Sequence, residues 1–212
     1  MWASCPRSRR DGGRFLALLL LATTLLPMGC TSAGKRASLP AADEELLGAK
    51  GDERLLAAVR EGGKDPFAAI AVFRRDAFLG NAAMLEQASI PILDEFGKAA
   101  ILLLSANQVV PLLKDPSVRR VAWFGPQGLL ARLDPSLEME LLSRYEAGSE
   151  GKDVSILARF RDVPGEKEDR QLGAAGFRVI SRLGPNQVVS GPISGIPRLL
   201  ESDRIIYLEK AP

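Results

Sequence analysis

Short apolar runs, separated by glycine, proline and charged turns, dominate the second half of the chain. Leu172 lies alone in a polar segment that ends at Gly176, a pattern typical of a short surface helix. Ile196, Leu199 and Leu200 recur at spacings of three and four, which predicts a second helix. Four further runs are continuous or alternating, which predicts β-strands over residues 154–160, 177–181, 187–190 and 205–208.

The same pattern occurs earlier in the chain at a constant offset. Shifting the chain by 87 positions lays residues 68–125 on residues 155–212 without a gap. Apolar positions coincide along most of this overlap, and we predict two copies of one small domain, with a merely shared fold class as the alternative. Eight pairs are identical: Ala71/Ala158, Phe73/Phe160, Arg74/Arg161, Leu85/Leu172, Ala88/Ala175, Gly97/Gly184, Leu112/Leu199 and Leu113/Leu200.

The order of elements in each copy predicts an α+β fold. Strand, helix, strand, strand, helix, strand is the order of a ferredoxin-like βαββαβ domain, a four-stranded antiparallel sheet with two helices on one face. The opposite face then lacks cover, and an uncovered apolar face packs on a neighbour or binds a partner. We expect the two copies to cover each other, or a helix over residues 135–145, with Asp134 as its N-cap, to do so.

The N-terminus has the pattern of a bacterial export signal. Four arginines precede an apolar run at residues 15–26, which is shorter than the roughly 20 residues of a membrane span. Gly29 directly before Cys30 resembles the lipobox of bacterial lipoproteins. The resemblance implies cleavage ahead of Cys30 and lipid attachment to it, and an ordinary signal peptide with a chance cysteine is the alternative.

These patterns divide the chain into five segments. A small, polar stretch between the signal and the globular pattern suits a flexible tether. The predicted segments are a signal peptide at 1–29, a tether at 30–43, a first domain at 44–126, a linker with a helix at 127–153 and a second domain at 154–212.

Composition excludes several classes of function. Without residues 1–29 the chain has 24 basic and 25 acidic residues, and this balance argues against nucleic acid as a partner. The chain contains no histidine, which removes Ser-His-Asp triads, Cys-His pairs and histidine metal sites. Cys5 leaves with the signal and lipid blocks Cys30, so the mature chain has neither a disulfide nor a free thiol. We expect no enzymatic activity, cofactor, metal or small-molecule substrate.

The second copy resembles the propeptide-like inhibitor domain that precedes subtilisin-family serine proteases. The likeness covers residues 133–212, including the lead-in LDPSL, the strand SILARFRD, the Gly176-Phe177 step, the strand NQVVSGPI and the closing LLESDRIIYLE. The first copy ends in the comparable LLKDPSVRRVAWF and is identified as a degenerate member of the same family.

In that family the domain docks its open sheet face on two surface helices of the protease, and the residues after the last strand enter the substrate cleft. This chain stops where a propeptide joins its protease, so the resemblance implies an inhibitor or folding helper that acts in trans. It also implies that the part reaching toward the active site consists of Tyr207, Leu208, Glu209, Lys210, Ala211 and Pro212.

The leading hypothesis is a membrane-anchored, noncatalytic lipoprotein that binds and inhibits a subtilisin-like protease, or assists its folding. The alternative is a structural or assembly lipoprotein that binds another envelope protein through exposed sheet. Lipid on Cys30 would place either one in the cell envelope. Thr31 stands where an aspartate often retains lipoproteins at the inner membrane, which favours the outer membrane by the same resemblance.

Overall fold

The computed structural model of the protein describes residues 39–211, except for the side chains of residues 77–79. These residues form an α+β unit with two four-stranded antiparallel sheets, which confirms the predicted fold class at that level. The predicted signal peptide, Cys30 and Pro212 lie outside the described residues. Among the residues described, no helix is long and apolar enough to span a membrane.

The first sheet is built from residues 67–126 and its strands lie in the order β2-β3-β1-β4. A 3₁₀ turn at Gln127–Arg132 follows its last strand. The helices of this half are α1 (Ala41–Lys50), α2 (Glu53–Glu61), α3 (Ala77–Gln87) and α4 (Ala106–Lys114). The first three residues of α1 fall within the predicted tether at 30–43. The strands are β1 (Phe67–Phe73), β2 (Ile92–Phe96), β3 (Ala99–Leu104) and β4 (Val118–Pro126).

The second sheet has the order β6-β7-β5-β8, and a single helix, α5 (Pro135–Ala147), precedes it. As predicted, Asp134 caps α5, because its carboxylate accepts a hydrogen bond from the Ser136 N–H at 2.8 Å. The strands are β5 (Asp153–Phe160), β6 (Arg178–Leu183), β7 (Asn186–Pro192) and β8 (Ile205–Lys210). The helices are α6 (Glu166–Ala174) and α7 (Ile196–Leu200).

Both sheets have the same register, displaced by 87 positions. Ile70 pairs with Ile101 in the first sheet, and Leu157 pairs with Val188 in the second. Irregularities recur as well, since β2 bulges between residues 92 and 94, and β6 bulges between 179 and 181. Turn hydrogen bonds follow the same rule: Phe73 N–H donates to Lys98 O, and Phe160 N–H donates to Pro185 O. The two halves are therefore built to one plan down to single hydrogen bonds.

The first sheet is covered on both faces. On one face, alternate β1 residues pack against α1 to α4, where Leu47, Leu55, Leu85, Leu112 and Leu113 are buried. On the other face, Ala68, Ile70 and Val72 pack in one core with the buried side of α5, formed by Leu137, Leu141, Leu142 and Tyr145. All seven β1 residues are consequently buried, as in a strand with no solvated side.

The core under α5 continues into the second half. It includes one side of β5, namely Val154, Ile156, Ala158 and Phe160, together with α6 and α7 through Leu172, Leu199 and Leu200. Phe124, Leu129 and Leu133 join the two parts. The buried residues of both hydrophobic clusters lie within residues 47–208, so residues 39–211 contain both cores.

Candidate protein-binding surface

The second sheet keeps one face free of the helices that the structure describes. Along β5, residues alternate strictly between buried side chains at 154, 156, 158 and 160 and more accessible ones at 155, 157 and 159. Register places the accessible residues beside Asn186 and Val188 on β7 and Tyr207 and Glu209 on β8. We call this surface the open face. It consists of Ser155, Leu157, Arg159, Asn186, Val188, Tyr207 and Glu209, together with Arg178, Ile180, Ser181 and Leu183 of β6.

The open face combines an apolar centre with a charged side. Leu157 and Val188 are neighbours and half-buried. Arg159 donates to the Glu209 carboxylate through Nη2 at 2.7 Å and Nε at 3.1 Å. Both hydrogen bonds go to one oxygen, Oε1, and connect the two side chains across the neighbouring strands β5 and β8. The result is a fixed polar border beside a small apolar patch, the composition of a surface that meets both water and protein.

Two large apolar side chains of β6 extend this patch into solvent. Ile180 is 57% exposed and Leu183 is 67% exposed. Ile180 is the extra residue of the β6 bulge, which interrupts pairing between Val179 and Ser181. Bulges re-aim side chains and recur next to functional sites. Exposed apolar residues that adjoin a half-buried apolar centre indicate an interaction surface.

The equivalent face of the first sheet differs in composition as well as in cover. Val72, Ala68 and Ala122 occupy the positions of Arg159, Ser155 and Glu209, 87 residues earlier in the chain. The small apolar residues suit permanent burial under α5, whereas the arginine, serine and glutamate suit contact with water. Each face therefore matches its observed environment.

The C-terminal residues predicted to reach into a protease cleft are mostly part of the second sheet. Leu208 is fully buried, and its carbonyl accepts from the Asp134 N–H at 2.8 Å. Tyr207 and Glu209 lie half-buried on the open face. The Ala211 N–H still donates to Ser155 O at 3.0 Å. The structure brings Tyr207 and Glu209 together with the open face, and it leaves Ala211 as the described residue beyond the last strand.

Helix α5 holds the end of β8 in place. Lys210 Nζ lies 3.1 Å from Glu140 Oε2, and Arg144 binds the same carboxylate at 2.7 Å. These hydrogen bonds, that of Arg144 first, hold the pKa of Glu140 below its ordinary value. On the other side of β8, loss of hydration and the charge of Asp134 raise the pKa of Tyr207, which keeps its phenol neutral. Any movement of the tail must first break the contact between Lys210 and Glu140.

A second candidate site is a cleft of about 800 Å³ between the two halves. Arg120 contacts the Glu150 carboxylate and donates to Tyr145 O at 2.6 Å, with its guanidinium 5.3 Å from the Tyr145 ring centre. Asp52 accepts from the backbone N–H groups of Leu55 and Trp123. Arg120, Glu150 and Asp52 are thus already engaged in contacts within the protein.

Most residues of the open face have no distinguishing local signal in the sequence. The pattern assigns Leu157, Arg159, Ile180 and Val188 only to strands and Leu183 only to a turn. The signal that identifies them is the offset comparison, because Arg159 replaces Val72 and Glu209 replaces Ala122 at positions of identical register. A polar substitution in only one of two equivalent faces marks the face that stays in contact with water.

No protein-family model, curated protein or solved structure matches the chain. The assignment of the open face therefore rests on its geometry.

Proposed function

We propose that this chain is a noncatalytic lipoprotein that binds a subtilisin-like serine protease through the open face and inhibits it or assists its folding. The observation that carries the proposal is an asymmetry: two sheets share one register, yet α5 covers only the first. A face that the fold leaves uncovered, with exposed Ile180 and Leu183, is a surface suited to a partner.

The strand order supports the finer assignment of each half as a ferredoxin-like domain. In both sheets the first and third strands of the repeat are central and antiparallel, and the second and fourth are at the edges. This is the order expected of a βαββαβ unit. The protease as partner follows from the resemblance of residues 133–212 to propeptide-like inhibitors, whose open sheet face is the docking surface.

The tail should contribute less to binding than the sheet. Leu208 is fully buried and Lys210 is paired with Glu140, so neither side chain can enter a protease cleft unless β8 peels from its neighbours. Extracting a buried leucine costs about 1.5–3 kcal/mol. We therefore propose that the open face supplies most of the affinity.

A lipid on Cys30 would keep the unit near the membrane. Residues 31–40 separate that cysteine from α1, and ten residues span at most about 35 Å. The proposed partner is therefore a protease of the same envelope layer.

The decisive experiment titrates residues 35–212 against a subtilisin-family protease while recording substrate turnover and the integrity of the added protein. Inhibition at stoichiometric ratio is the expected result. Ile180→Glu and Leu183→Glu should each weaken it by at least about tenfold, because a buried, unpaired charge is costly. Val163→Glu is the matched control, since Val163 is 70% exposed on the loop after β5, outside the open face. Removal of residues 211 and 212 should change inhibition less than either substitution.

A structural or assembly lipoprotein remains the second candidate, favoured by the burial of Leu208 and the pairing of Lys210. Both observations disfavour a tail that enters a cleft. If the protease digests the protein without being inhibited, the protease proposal is wrong and this second role takes its place. In that case the same Ile180→Glu and Leu183→Glu variants should lose a stable partner from envelope extracts while Val163→Glu retains it.

A further inference from the structure

The edge strands of the two sheets differ in how well they are protected. Of the four edges, β4 has its Trp123 N–H bound to the Asp52 carboxylate, and α7 from the other half contacts it. The edge at β8 is capped by a short parallel bridge between Leu133 and Leu208. Within residues 39–211, no strand or bridge lies beside β2 or β6, and the helices that contact them are α3 and α5 for β2 and α6 for β6. An edge strand presents unpaired backbone donors and acceptors that can template another strand.

These two open edges carry opposite charge at equivalent positions. Strand β2 contains Asp94 and Glu95 and no basic residue, whereas β6 contains Arg178 and Arg182 and no acidic one. Glu138 of α5 adds a further carboxyl group beside Asp94. Arg178 is 74% exposed and only loosely paired, 3.8 Å from Asp153, so its charge is available to a partner. Arg182 is bound to Asp169 at 2.7 Å and contributes less.

Both edges also expose apolar side chains. Leu93 and Phe96 on β2 are 36% and 38% exposed, and on β6 Ile180 and Leu183 are exposed to a greater extent. Leu93 and Ile180 are the extra residues of equivalent bulges. An acidic edge with two apolar residues therefore has a basic counterpart of the same shape on the other half of the same molecule.

Like charges on each edge oppose symmetric pairing and permit asymmetric pairing. Two β2 strands would place carboxylates opposite carboxylates, and two β6 strands would place arginines opposite arginines, which destabilises cross-strand contact. Charge on an edge normally protects it from any partner. Here the charges disfavour pairing of two identical edges only, because the acidic β2 strand and the basic β6 strand attract each other.

We propose that the protein associates head to tail with a second copy of itself, the β2 edge of one molecule meeting the β6 edge of the next. Such a contact is heterologous, so each molecule keeps one edge of each kind and the assembly grows as a ring or an open chain. The contact is small, since β2 has five residues and β6 six. Small, charged contacts are weak and depend on ionic strength. The inference does not depend on a protease partner.

Analytical ultracentrifugation of residues 35–212 tests this proposal over about 10 μM to 1 mM protein, at low and high salt, where screening by salt separates charge-driven contacts from others. The average mass should rise with concentration at low salt and fall when salt is added. Asp94→Lys and Arg178→Glu should each weaken association by at least about tenfold. Lys64→Glu is the control, because Lys64 is exposed on the loop between α2 and β1, in neither edge strand nor a helix that contacts one.

Mixing the two variants is the sharpest test. An equimolar mixture of Asp94→Lys and Arg178→Glu restores one native contact, the intact basic edge of the first with the intact acidic edge of the second, so association should return. Circular dichroism of each variant establishes that it is folded. A protein that stays monomeric at all concentrations overturns the proposal, and so does a mixture no better than its components. Inhibition of a protease is measured separately, by substrate turnover, so the failure of one proposal can be told from the failure of the other.

Discussion

At the scale of single residues, two glutamates of α5 show how position decides the effect of a charge. Burial raises the pKa of Glu138 above its ordinary 4.5, and the charge and hydrogen bond of Asp94 act in the same direction. Hydrogen bonds from Arg144 and Lys210 lower that of Glu140. β1 and β3 contain no charged residue, whereas β2 contributes Asp94 beside Glu138 and β8 contributes Lys210 beside Glu140.

The raised pKa of Glu138 predicts a gain in stability for Glu138→Gln at neutral pH. The folded state holds the Glu138 proton more tightly than the unfolded chain does. The stability that this proton contributes is complete below pH 4.5 and is lost as the pH rises through the raised pKa. The amide keeps a donor toward Asp94 at every pH. We expect Glu138→Gln to raise the free energy of unfolding by a few tenths of a kcal/mol at pH 7. The gain is small because solvent screens a carboxyl that is only half-buried.

Glu140→Gln is the opposing control. The folded state stabilises the ionised carboxylate of Glu140. The stability that this carboxylate contributes is present above pH 4.5 and is lost as the pH falls through the lowered pKa. This variant should be less stable than wild type at pH 7 and equal to it in strong acid. Thermal unfolding from pH 3 to pH 8 measures both, and two variants shifted in the same direction at pH 7 would contradict the assignment.

At the scale of elements, the turns of the two repeats offer a matched comparison. Gly97 between β2 and β3 has φ of 56°, and Gly184 between β6 and β7 has φ of 62°. A side chain in this left-handed region costs about 1–2 kcal/mol. Only at Gly97 does a neighbour intrude, because an added Cβ would lie 2.6 Å and 2.7 Å from the Glu146 carboxylate oxygens.

We therefore expect Gly97→Ala to destabilise the protein more than Gly184→Ala does. Both substitutions carry the same backbone strain, but Glu146 must also swing away at Gly97 and give up the Lys98 N–H, which it accepts at 3.2 Å. A net hydrogen bond of this kind contributes about 1 kcal/mol. Urea unfolding measures the difference. In a Glu146→Ala background the two glycine substitutions should become equal, and a difference that persists there would refute the explanation.

Helix α5 is the element that decides which sheet remains open. Leu141 is fully buried in its contact with the first sheet, whereas Met139 on the same helix is 40% exposed. Leu141→Ala should lower the free energy of unfolding by about 2–5 kcal/mol, the usual cost of emptying a buried leucine site. Met139→Ala should stay within about 0.5 kcal/mol. Urea unfolding measures both losses. Similar losses of unfolding free energy for the two variants would show that α5 is not anchored by its buried side.

Local sequence patterns predicted where most helices and strands lie along the chain, but not which of them pack against one another. The second-half strands extend only one or two residues beyond the predicted runs, and α5 starts at Pro135 as predicted, because alternation and an Asp cap act within a few residues. The cover of the first sheet by α5 was one of two alternatives that the sequence left open, because it depends on packing between distant segments. The pairing of Lys210 with Glu140, 70 residues apart, likewise has no local signal. The sequence therefore nominated the tail residues without indicating their anchor on α5.

At the scale of the whole molecule, one hydrophobic cluster crosses the boundary between the repeats. It joins Ile70 and Leu141 to Ile156 and Leu199 through Phe124 and Leu129. A shared core makes the two halves unfold together, although each has its own sheet.

We expect one cooperative transition for residues 35–212. Trp123 is the single tryptophan of this range and reports on the first half, where its ring centre lies 4.3 Å from that of Phe67. Far-ultraviolet circular dichroism reports on both halves. The two probes should give coincident curves in urea and one midpoint. Separate transitions would show that the halves are independent domains. Residues 154–212 alone, which lack Leu129 and Leu133, should fail to fold stably.

The shared register also bears on how the chain avoids folding incorrectly. Because the sheets follow one plan, β5 fits the place of β1, and an exchange would satisfy the backbone hydrogen bonds equally well. Such an exchange would bury Arg159 under α5, where Val72 belongs, and an unpaired charge there costs several kcal/mol. The polar residues of the open face therefore disfavour the exchange of strands between the two halves. They protect a duplicated chain from misfolding by internal strand swapping.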